Sequence, residues 1–228
     1  MEDATGFLFP IAILVMSVVI HEVSHGVAAY LLGDKTAKYA GRLTLNPIPH
    51  IDILGSIIVP FVLAISSPFV IGWAKPVPYN PYNLRDQKRG PAIVGAAGPL
   101  SNFFIAGIFG FLSILTPIEI GIKTVIARAI LFGGFFNTPY TVSAPVEAFY
   151  LILLKIVLIN IVLGVFNLLP IPPLDGSKVL FAFIPYQWYR LQSFLEQYGF
   201  LILIVFILLF SGVIGMISAA LFEIFTGL

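Results

Sequence analysis

Two histidines and one glutamate near the start of the chain have the spacing of a metal site. His21 and His25 are four residues apart, and Glu22 directly follows the first of them. Residues four apart on a helix lie on the same face, so both imidazoles are placed to bind one zinc ion. Glu22 is placed beside them as general base for a zinc-activated water molecule. This pattern predicts metal-assisted hydrolysis.

The sequence that leads into this motif is apolar enough to lie in a membrane. Residues 6–20 consist almost wholly of aliphatic and aromatic side chains. A carboxylate at the centre of a bilayer costs about 2.5–3.5 kcal/mol on insertion scales, which disfavours a glutamate without a function there. The alternative interpretation, two histidines that only pack within a helix bundle, leaves that cost unexplained.

Composition indicates that the whole chain is a membrane protein. Of its 228 residues, 59% are hydrophobic and 10% are charged, whereas soluble domains carry about 25% charged residues. The formal net charge of +1 argues against a nucleic-acid partner. Because the chain has no cysteine, cysteine-ligated zinc and iron–sulfur clusters are excluded, and His, Asp or Glu must bind any metal.

The apolar pattern predicts an all-α polytopic membrane protein, a bundle of four to six transmembrane helices. We predict a single transmembrane domain over residues 1–228, with the catalytic core at about 6–185 and C-terminal helices at about 197–228. Two connections, at 38–46 and 72–79, are predicted to form short membrane-surface β-strands. The first has a strand-like sequence, and the prolines of the second exclude helix and favour extended chain. The apolar segments are about 6–32, 53–72, 91–116, 146–170 and 198–218.

A third zinc ligand is expected from elsewhere in the chain, since catalytic zinc sites keep three protein ligands and one open position. Asp175 is the candidate, because it follows a proline-rich run that ends the fourth long apolar segment. Unwound chain at membrane depth is tolerated only where it is buried in protein or lines a wet cavity. Alone, Asp175 followed by Gly176 is typical of a turn or helix cap; together with the two histidines it favours metal binding.

Three motifs follow one another along the chain: the His21–His25 helix, the run Gly98-Pro99-Leu100-Ser101-Asn102, and the run from Asn167 to Gly176. In this order they resemble the site-2 protease family of intramembrane zinc metalloproteases. The resemblance covers roughly residues 8–185, and residues 50–52 and 72–77 resemble the compact subgroup without PDZ or CBS domains.

The resemblance implies one zinc ion, bound by His21, His25 and Asp175, with Glu22 as general base. It implies hydrolysis of peptide bonds within or near membrane-spanning helices, so the expected partners are transmembrane protein or peptide substrates and membrane lipid. The family pattern also places an asparagine ahead of the Leu-Asp-Gly turn, which favours Asn167 for stabilising the oxyanion.

Other residues are candidates for contact with the substrate. Asn102 is a second amide donor in an apolar helix, either for the oxyanion or for a hydrogen bond between helices. The extended chain that carries Ala74 and Lys75 is expected to pair with an unwound substrate as an added β-strand. Three roles remain possible for His50: ligand of a second metal, part of a proton gate, or a polar residue that satisfies the backbone at a membrane-surface turn.

The proposed ligands constrain the topology. His21 lies in the second half of the first helix and Asp175 follows the end of the fourth, so these two helices must run parallel. One intervening segment therefore fails to cross, and we predict that 53–72, interrupted by Pro60, is re-entrant. The competing solution, a crossing helix at 120–136, would bury a lysine or an arginine in lipid.

Charge supports this topology and orients it. Nine of the twelve Lys and Arg residues then fall in loops 33–52, 73–90 and 171–197 on one side. The positive-inside rule makes that side cytoplasmic. We therefore expect a multi-pass protein of a prokaryotic cell membrane with its active site toward the cytoplasm.

Two other classes of function were weighed. A catalytically silent zinc-binding protein that binds client helices would need the ligands but not Glu22. A metal transporter would use the same residues as a transit site, but transporters usually carry internal repeats and several acids along a path, which this sequence does not show.

Overall fold

The computed structural model describes residues 4–58, 74–133, 138 and 140–228. Within these ranges the chain forms seven α-helices and no β-strand. Three short 3₁₀ turns occur at Ile48–His50, Pro81–Asn83 and Tyr186–Trp188, and a π-helical turn occurs at Ile53–Ile58. The helices are α1 (Ala4–Leu31), α2 (Thr36–Tyr39), α3 (Gly90–Leu115), α4 (Ile120–Gly133), α5 (Pro145–Asn167), α6 (Asp175–Phe183) and α7 (Tyr189–Thr226).

Four of the described helices are long and apolar enough to cross a bilayer, which takes about 20 residues. They are α1 from Phe9 onward, α3, α5 and α7. This confirms the prediction of an all-helical polytopic membrane protein. The C-terminal part differs from expectation, because residues 189–226 form one continuous helix and not two. Gly212 and Gly215 do not break it, since an apolar surrounding offers the backbone no partner outside the helix.

Helix α3 lies at the centre of the bundle and packs against α1, α5 and α6. The largest apolar cluster joins α3, α4, α5 and α7 through buried side chains such as Tyr150, Leu154 and Phe222. Gly164 allows α5 to approach α3 closely, because a Cβ there would lie 2.9 Å from the ring of Phe103. The bundle therefore holds α3 between α1 and α5.

Helix α4 covers one end of α3 and has 14 residues, too few to cross the membrane. Its Lys123 is buried, and Nζ donates hydrogen bonds to the C=O groups of Ser113 at 3.1 Å and Ile114 at 2.8 Å. These carbonyls belong to the last turn of α3, where backbone donors run out; Ser113 receives one further hydrogen bond, from the N–H of Thr116 at 3.3 Å. The buried ammonium group of Lys123 thus has two carbonyl acceptors and caps the C-terminal end of α3.

The chain leaves α1 and enters α3 on the same side of the bundle. The N–H of Arg85 donates to the C=O of Leu32 across 2.9 Å, which joins the end of α1 to the loop before α3. Helix α3 therefore runs antiparallel to α1. Gly95 of α3 meets Asp175 beyond the end of α5, and Phe103 meets Gly164 within it, so α3 is antiparallel to α5 as well and α1 and α5 run parallel. Most of the segment predicted to be re-entrant, residues 59–72, lies outside the described residues, so its path stays a prediction.

The predicted membrane-surface strands are wrong in the parts of 38–46 and 72–79 that the structure describes. The range 38–46 begins within helix α2. Oδ1 of Asp34 accepts hydrogen bonds from the N–H and from Oγ1 of Thr36, which favours a helical turn there. Gly41 then reverses the chain with a φ of +64°. Residues 74–80 form neither a helix nor a ladder, and Pro76 and Pro78 favour extended chain.

We call residues 74–80 the strap. Two side chains and one backbone carbonyl occupy backbone groups that a partner strand would use. Arg42 donates to the C=O of Lys75 at 2.6 Å, and Glu22 accepts from the N–H of Val77 at 2.9 Å. The C=O of His50 accepts from the N–H of Lys75 at 2.9 Å. The strap is therefore fixed across the end of α1 that carries the histidines.

Candidate metal centre

Helix α1 presents the two histidines of the motif on one face, and α6 brings an aspartate to meet them. Nε2 of His21 and Nε2 of His25 each lie 3.0 Å from Oδ2 of Asp175. Ligand atoms around a tetrahedral zinc ion lie about 3.3 Å apart, given metal–ligand bonds of about 2.0–2.2 Å. The three side chains, each at most 8% exposed, thus converge as a zinc ligand set does.

Both imidazoles present the correct nitrogen for such a site. Nδ1 of His25 donates to the C=O of Val94 across 2.6 Å, and Nδ1 of His21 lies 2.6 Å from Oδ1 of Asn102. A proton held at Nδ1 leaves the lone pair of Nε2 free for a metal. The donor set and its supporting hydrogen bonds therefore fit zinc.

Gly98 of α3 lies against the two imidazoles. A Cβ at this position would lie 2.6 Å from Nε2 of His21 and 2.5 Å from Nε2 of His25. Only glycine leaves room for the two rings where α1 crosses α3. Gly95, one turn earlier, allows α6 to approach in the same way, since its Cβ would lie 2.9 Å from Cβ of Lys178.

Asp175 begins α6, directly after the proline-rich turn that ends α5. Its second oxygen, Oδ1, accepts a hydrogen bond from Nζ of Lys178 across 2.8 Å. Burial opposes ionisation of Asp175, but its contacts with the His21 and His25 rings and the Lys178 charge hold its pKa below the ordinary value. Burial likewise opposes the charge of Lys178, but Asp175 raises the pKa of this lysine. Both groups are therefore charged at neutral pH.

Glu22 lies on the same turn of α1, at the edge of a cavity of about 180 Å³. A ligand atom of Glu22 lies within 4.8 Å of those of His21 and His25. Water occupies about 30 Å³ per molecule in the liquid, so the cavity has room for several waters or one peptide group. Its walls also include strap residues Pro76, Val77 and Tyr79.

The structure separates the two asparagines that were predicted to contact the substrate. Asn167 lines the cavity and donates from Nδ2 to the C=O of Leu163 at 3.0 Å, which leaves its second N–H for another acceptor. Asn102 is fully buried behind His21 and is absent from the cavity wall. Its oxygen faces His21 and its nitrogen donates to Asn160 at 2.9 Å, so it has no reach to a substrate.

The remaining predicted residues lie on or near the strap. Ala74 is half-buried and Lys75 is exposed, and both precede the strap residues that line the cavity. His50 is buried and does not line the cavity with His21 and His25; its Nε2 lies 3.0 Å from the C=O of Thr44. Its C=O supports the strap, which favours the interpretation as a polar residue at a surface turn.

Sequence reasoning missed three features of the site. Lys178 follows Asp175 by three residues, and that spacing on a helix was a usable signal for a pair. Asn160, a polar residue in the apolar sequence of α5, was a second signal. The hydrogen bond from the N–H of Val77 to Glu22 had no signal, because a backbone group can bond to any acceptor that the fold brings to it.

Comparison with known proteins gives a consistent result. The model of the family described as "Peptidase family M50" matches residues 74–210. The "Putative zinc metalloprotease YwhC" of Bacillus subtilis strain 168 is 35% identical over 202 residues, 89% of this chain and 80% of that protein. The "Putative zinc metalloprotease Rip2" of Mycolicibacterium smegmatis is 27% identical over 203 residues, 89% of this chain and 67% of that protein. No solved structure shows significant similarity to the chain.

Proposed function

Because this chain belongs to peptidase family M50 and is an integral membrane metalloprotease, we propose that it is an intramembrane zinc endopeptidase. It hydrolyses peptide bonds in or near the transmembrane segments of membrane-protein substrates. Residues 1–228 act as one catalytic domain with one zinc ion. The observation that carries the proposal is the convergence of two histidine Nε2 atoms on one oxygen of Asp175, each across 3.0 Å.

His21, His25 and Asp175 would hold the zinc ion. When bound, zinc supplies a Lewis acid that acidifies water and polarises the scissile carbonyl. Glu22 accepts the proton that the attacking water loses and passes it to the leaving amide nitrogen. The N–H of Val77 holds Oε2 of Glu22 at 2.9 Å, so Oε1 is the oxygen that carries the proton.

Asn167 is the group that we assign to the oxyanion. It lines the cavity with Glu22, and one N–H of its amide is free of the bond to Leu163. A donor aimed at the developing negative charge contributes about 2.7–4 kcal/mol in the enzymes where one was removed. Asn102 takes a different role from the substrate contact expected of it: it holds the proton of His21 at Nδ1.

The strap is the surface that we assign to the substrate. A transmembrane helix hides its peptide groups in its own hydrogen bonds, so it must unwind before cleavage. The N–H and C=O groups of Lys75 are already bonded to His50 and Arg42. We therefore assign backbone pairing with an unwound chain to half-buried Ala74, and side-chain contact to exposed Lys75. A proline at Ala74 should then abolish cleavage and leave bound zinc unchanged; unaltered turnover would contradict this role.

The experiment that tests the proposed function uses purified protein in lipid vesicles with single-span reporter proteins. Cleavage should stop when a chelator removes zinc and resume when zinc alone is restored. Sites of cleavage, read by mass spectrometry, should fall in or next to the reporter's apolar segment. Cleavage that persists in the zinc-free protein would contradict the assignment.

The active site is assigned to the cytoplasmic side. The end of α1 near the histidines, the strap and α6 lie on the side that carries most of the basic residues, which the positive-inside rule places in the cytoplasm. A cysteine introduced at exposed Tyr82 should react with a membrane-impermeant thiol reagent only in inside-out vesicles. Labelling in intact cells would show that Tyr82 faces the outside of the cell and would contradict this orientation.

A further inference from the structure

The two histidines differ in what fixes the proton on their rings. Nδ1 of His25 faces the C=O of Val94, which only accepts, so this nitrogen must carry the proton. Nδ1 of His21 faces the side-chain amide of Asn102. An amide presents either an acceptor oxygen or a donor nitrogen, depending on which way it is turned. Whatever orients Asn102 therefore decides whether Nε2 of His21 has a free lone pair.

The orientation of Asn102 follows from its contact with Asn160 on α5. Nδ2 of Asn160 lies 2.9 Å from the C=O of Ile156, a group that accepts only, so the nitrogen of Asn160 must point there. Its oxygen then faces Nδ2 of Asn102 across 2.9 Å. Because Asn102 must present its nitrogen to that oxygen, its own oxygen faces His21.

Few other contacts compete with this chain of hydrogen bonds. Asn102 and Asn160 are both fully buried, so bulk water does not reach them. The C=O of Ser17 is the other acceptor near Nδ2 of Asn102, but at 3.5 Å it is at the limit of a hydrogen bond. Oγ of Ser17 accepts a second hydrogen bond from Asn160 at 2.9 Å, which leaves the direction of the amide unchanged.

We propose that Asn160 is a positioning residue for the metal site. By turning the amide of Asn102, it keeps the proton of His21 on Nδ1 and the Nε2 lone pair available to zinc, although it touches neither metal nor substrate. This inference rests on the proposed function, since it takes His21 as a zinc ligand. It also gives α5 a defined part in a site whose ligands lie on α1 and α6.

Two variants of similar size separate this role from packing. Asn160→Leu removes the oxygen that orients Asn102. Asn160→Asp keeps that oxygen, because burial favours the neutral acid, whose O–H can donate to the C=O of Ile156 as the amide does. Ser17→Ala is the matched control within the same network, since it leaves the bond between Asn160 and Ile156 in place.

The measurement is zinc affinity by competition with a chelator on the purified full chain, together with the rise in Tm that added zinc produces. Asn160→Leu should bind zinc about 10–100-fold more weakly, the range seen when a supporting partner of a ligand is removed. Asn160→Asp and Ser17→Ala should bind zinc as the wild type does. A packing role would instead lower the Tm of the zinc-free protein and leave zinc affinity unchanged.

Each outcome decides the inference. Wild-type affinity in Asn160→Leu would overturn it and leave the protease assignment intact. Failure of the wild-type protein itself to bind zinc would overturn both. If Asn160→Leu does not fold, Asn160→Ser serves in its place, because the serine hydroxyl can bond to Ile156 but is too short to reach Asn102. Unchanged zinc affinity in Asn160→Ser would also overturn the inference.

Discussion

The backbone N–H of Val77 donates a hydrogen bond to Oε2 of Glu22 across 2.9 Å. The proposed general base is thus tied to the strap, and the strap is in turn tied to Arg42 and to His50. The same segment forms a wall of the cavity. The position of the proposed base and the shape of the cavity therefore depend on this one segment.

Removing this N–H should impair the base without emptying the metal site. Val77→Pro deletes the donor, and its neighbours Pro76 and Pro78 already favour extended chain. A hydrogen bond to a charged group is worth about 1.5–3 kcal/mol, so kcat should fall about 10–100-fold. The measurement is reporter cleavage with bound zinc determined in parallel.

Val77→Ala is the matched control, since it shortens the same side chain and keeps the N–H. It should retain most of the activity that Val77→Pro loses. Equal turnover in the two variants would show that the hydrogen bond to Glu22 has no part in catalysis.

A methyl group at Gly98 should empty the metal site. The added Cβ would lie within 2.6 Å of Nε2 of both histidines, so the rings must move from the position in which they meet Asp175. We expect Gly98→Ala to lose most of its bound zinc, measured by metal analysis of the purified protein.

Gly107→Ala is the control on the same helix. A Cβ at Gly107 meets the ring of Phe225 at 3.5 Å, an ordinary contact, so this variant should keep its zinc. Full zinc occupancy in Gly98→Ala would contradict the close packing of α3 against the ligands.

Lys178 should support zinc binding through Asp175. Lys178→Met leaves Oδ1 of Asp175 without the ammonium that lies 2.8 Å away, and loss of such a partner weakens metal affinity about 10–100-fold. Lys178→Arg keeps the charge and should restore part of the affinity. Chelator competition on the two variants measures the difference; equal affinities would assign no role to the charge.

Asp34 should make the strap sensitive to acid. Burial opposes its ionisation, but hydrogen bonds from Thr36, Asn83 and Asn80 outweigh burial and lower the pKa of Asp34 below the ordinary 3.8. A carboxylate whose pKa is lower in the folded state stabilises the fold above pH 3.8, and this stabilisation is lost as the pH falls through the folded value. The Tm of the wild type should therefore drop more steeply below about pH 4 than that of Asp34→Asn.

Glu196→Gln, which alters an exposed carboxylate on α7, is the control for that comparison. It should follow the wild-type pH profile. If the Tm of wild type and of Asp34→Asn fell equally with pH, Asp34 would have no part in stabilising the strap.

The sequence was sufficient to predict the four spans, because apolar runs of about 20 residues have few structural alternatives. It was also sufficient to predict that the side chains of His21, His25 and Asp175 would lie close together. His21 and His25 share a helix face by their spacing, and Asp175 follows the proline-rich break where polar chain inside a membrane requires a cavity.

The hydrogen bonds of backbone groups and the orientation of side-chain amides could not be predicted from the sequence. The strap was predicted as a strand because its prolines require extended chain, but Arg42 and Glu22 occupy its C=O and N–H groups in place of a second strand. Asn102 was predicted either to contact the substrate or to form a hydrogen bond between helices, because it is polar in an apolar helix. That property does not distinguish a residue that faces the cavity from one that faces Asn160.

The most direct test of the central claim is cleavage of single-span reporters by the wild type and Glu22→Gln, with bound zinc measured in both. We predict that both proteins hold one zinc ion and that only the wild type cleaves, because the substitution removes the proton acceptor and spares the ligands. Cleavage by Glu22→Gln at the wild-type rate, or a wild-type protein without zinc, would contradict the account.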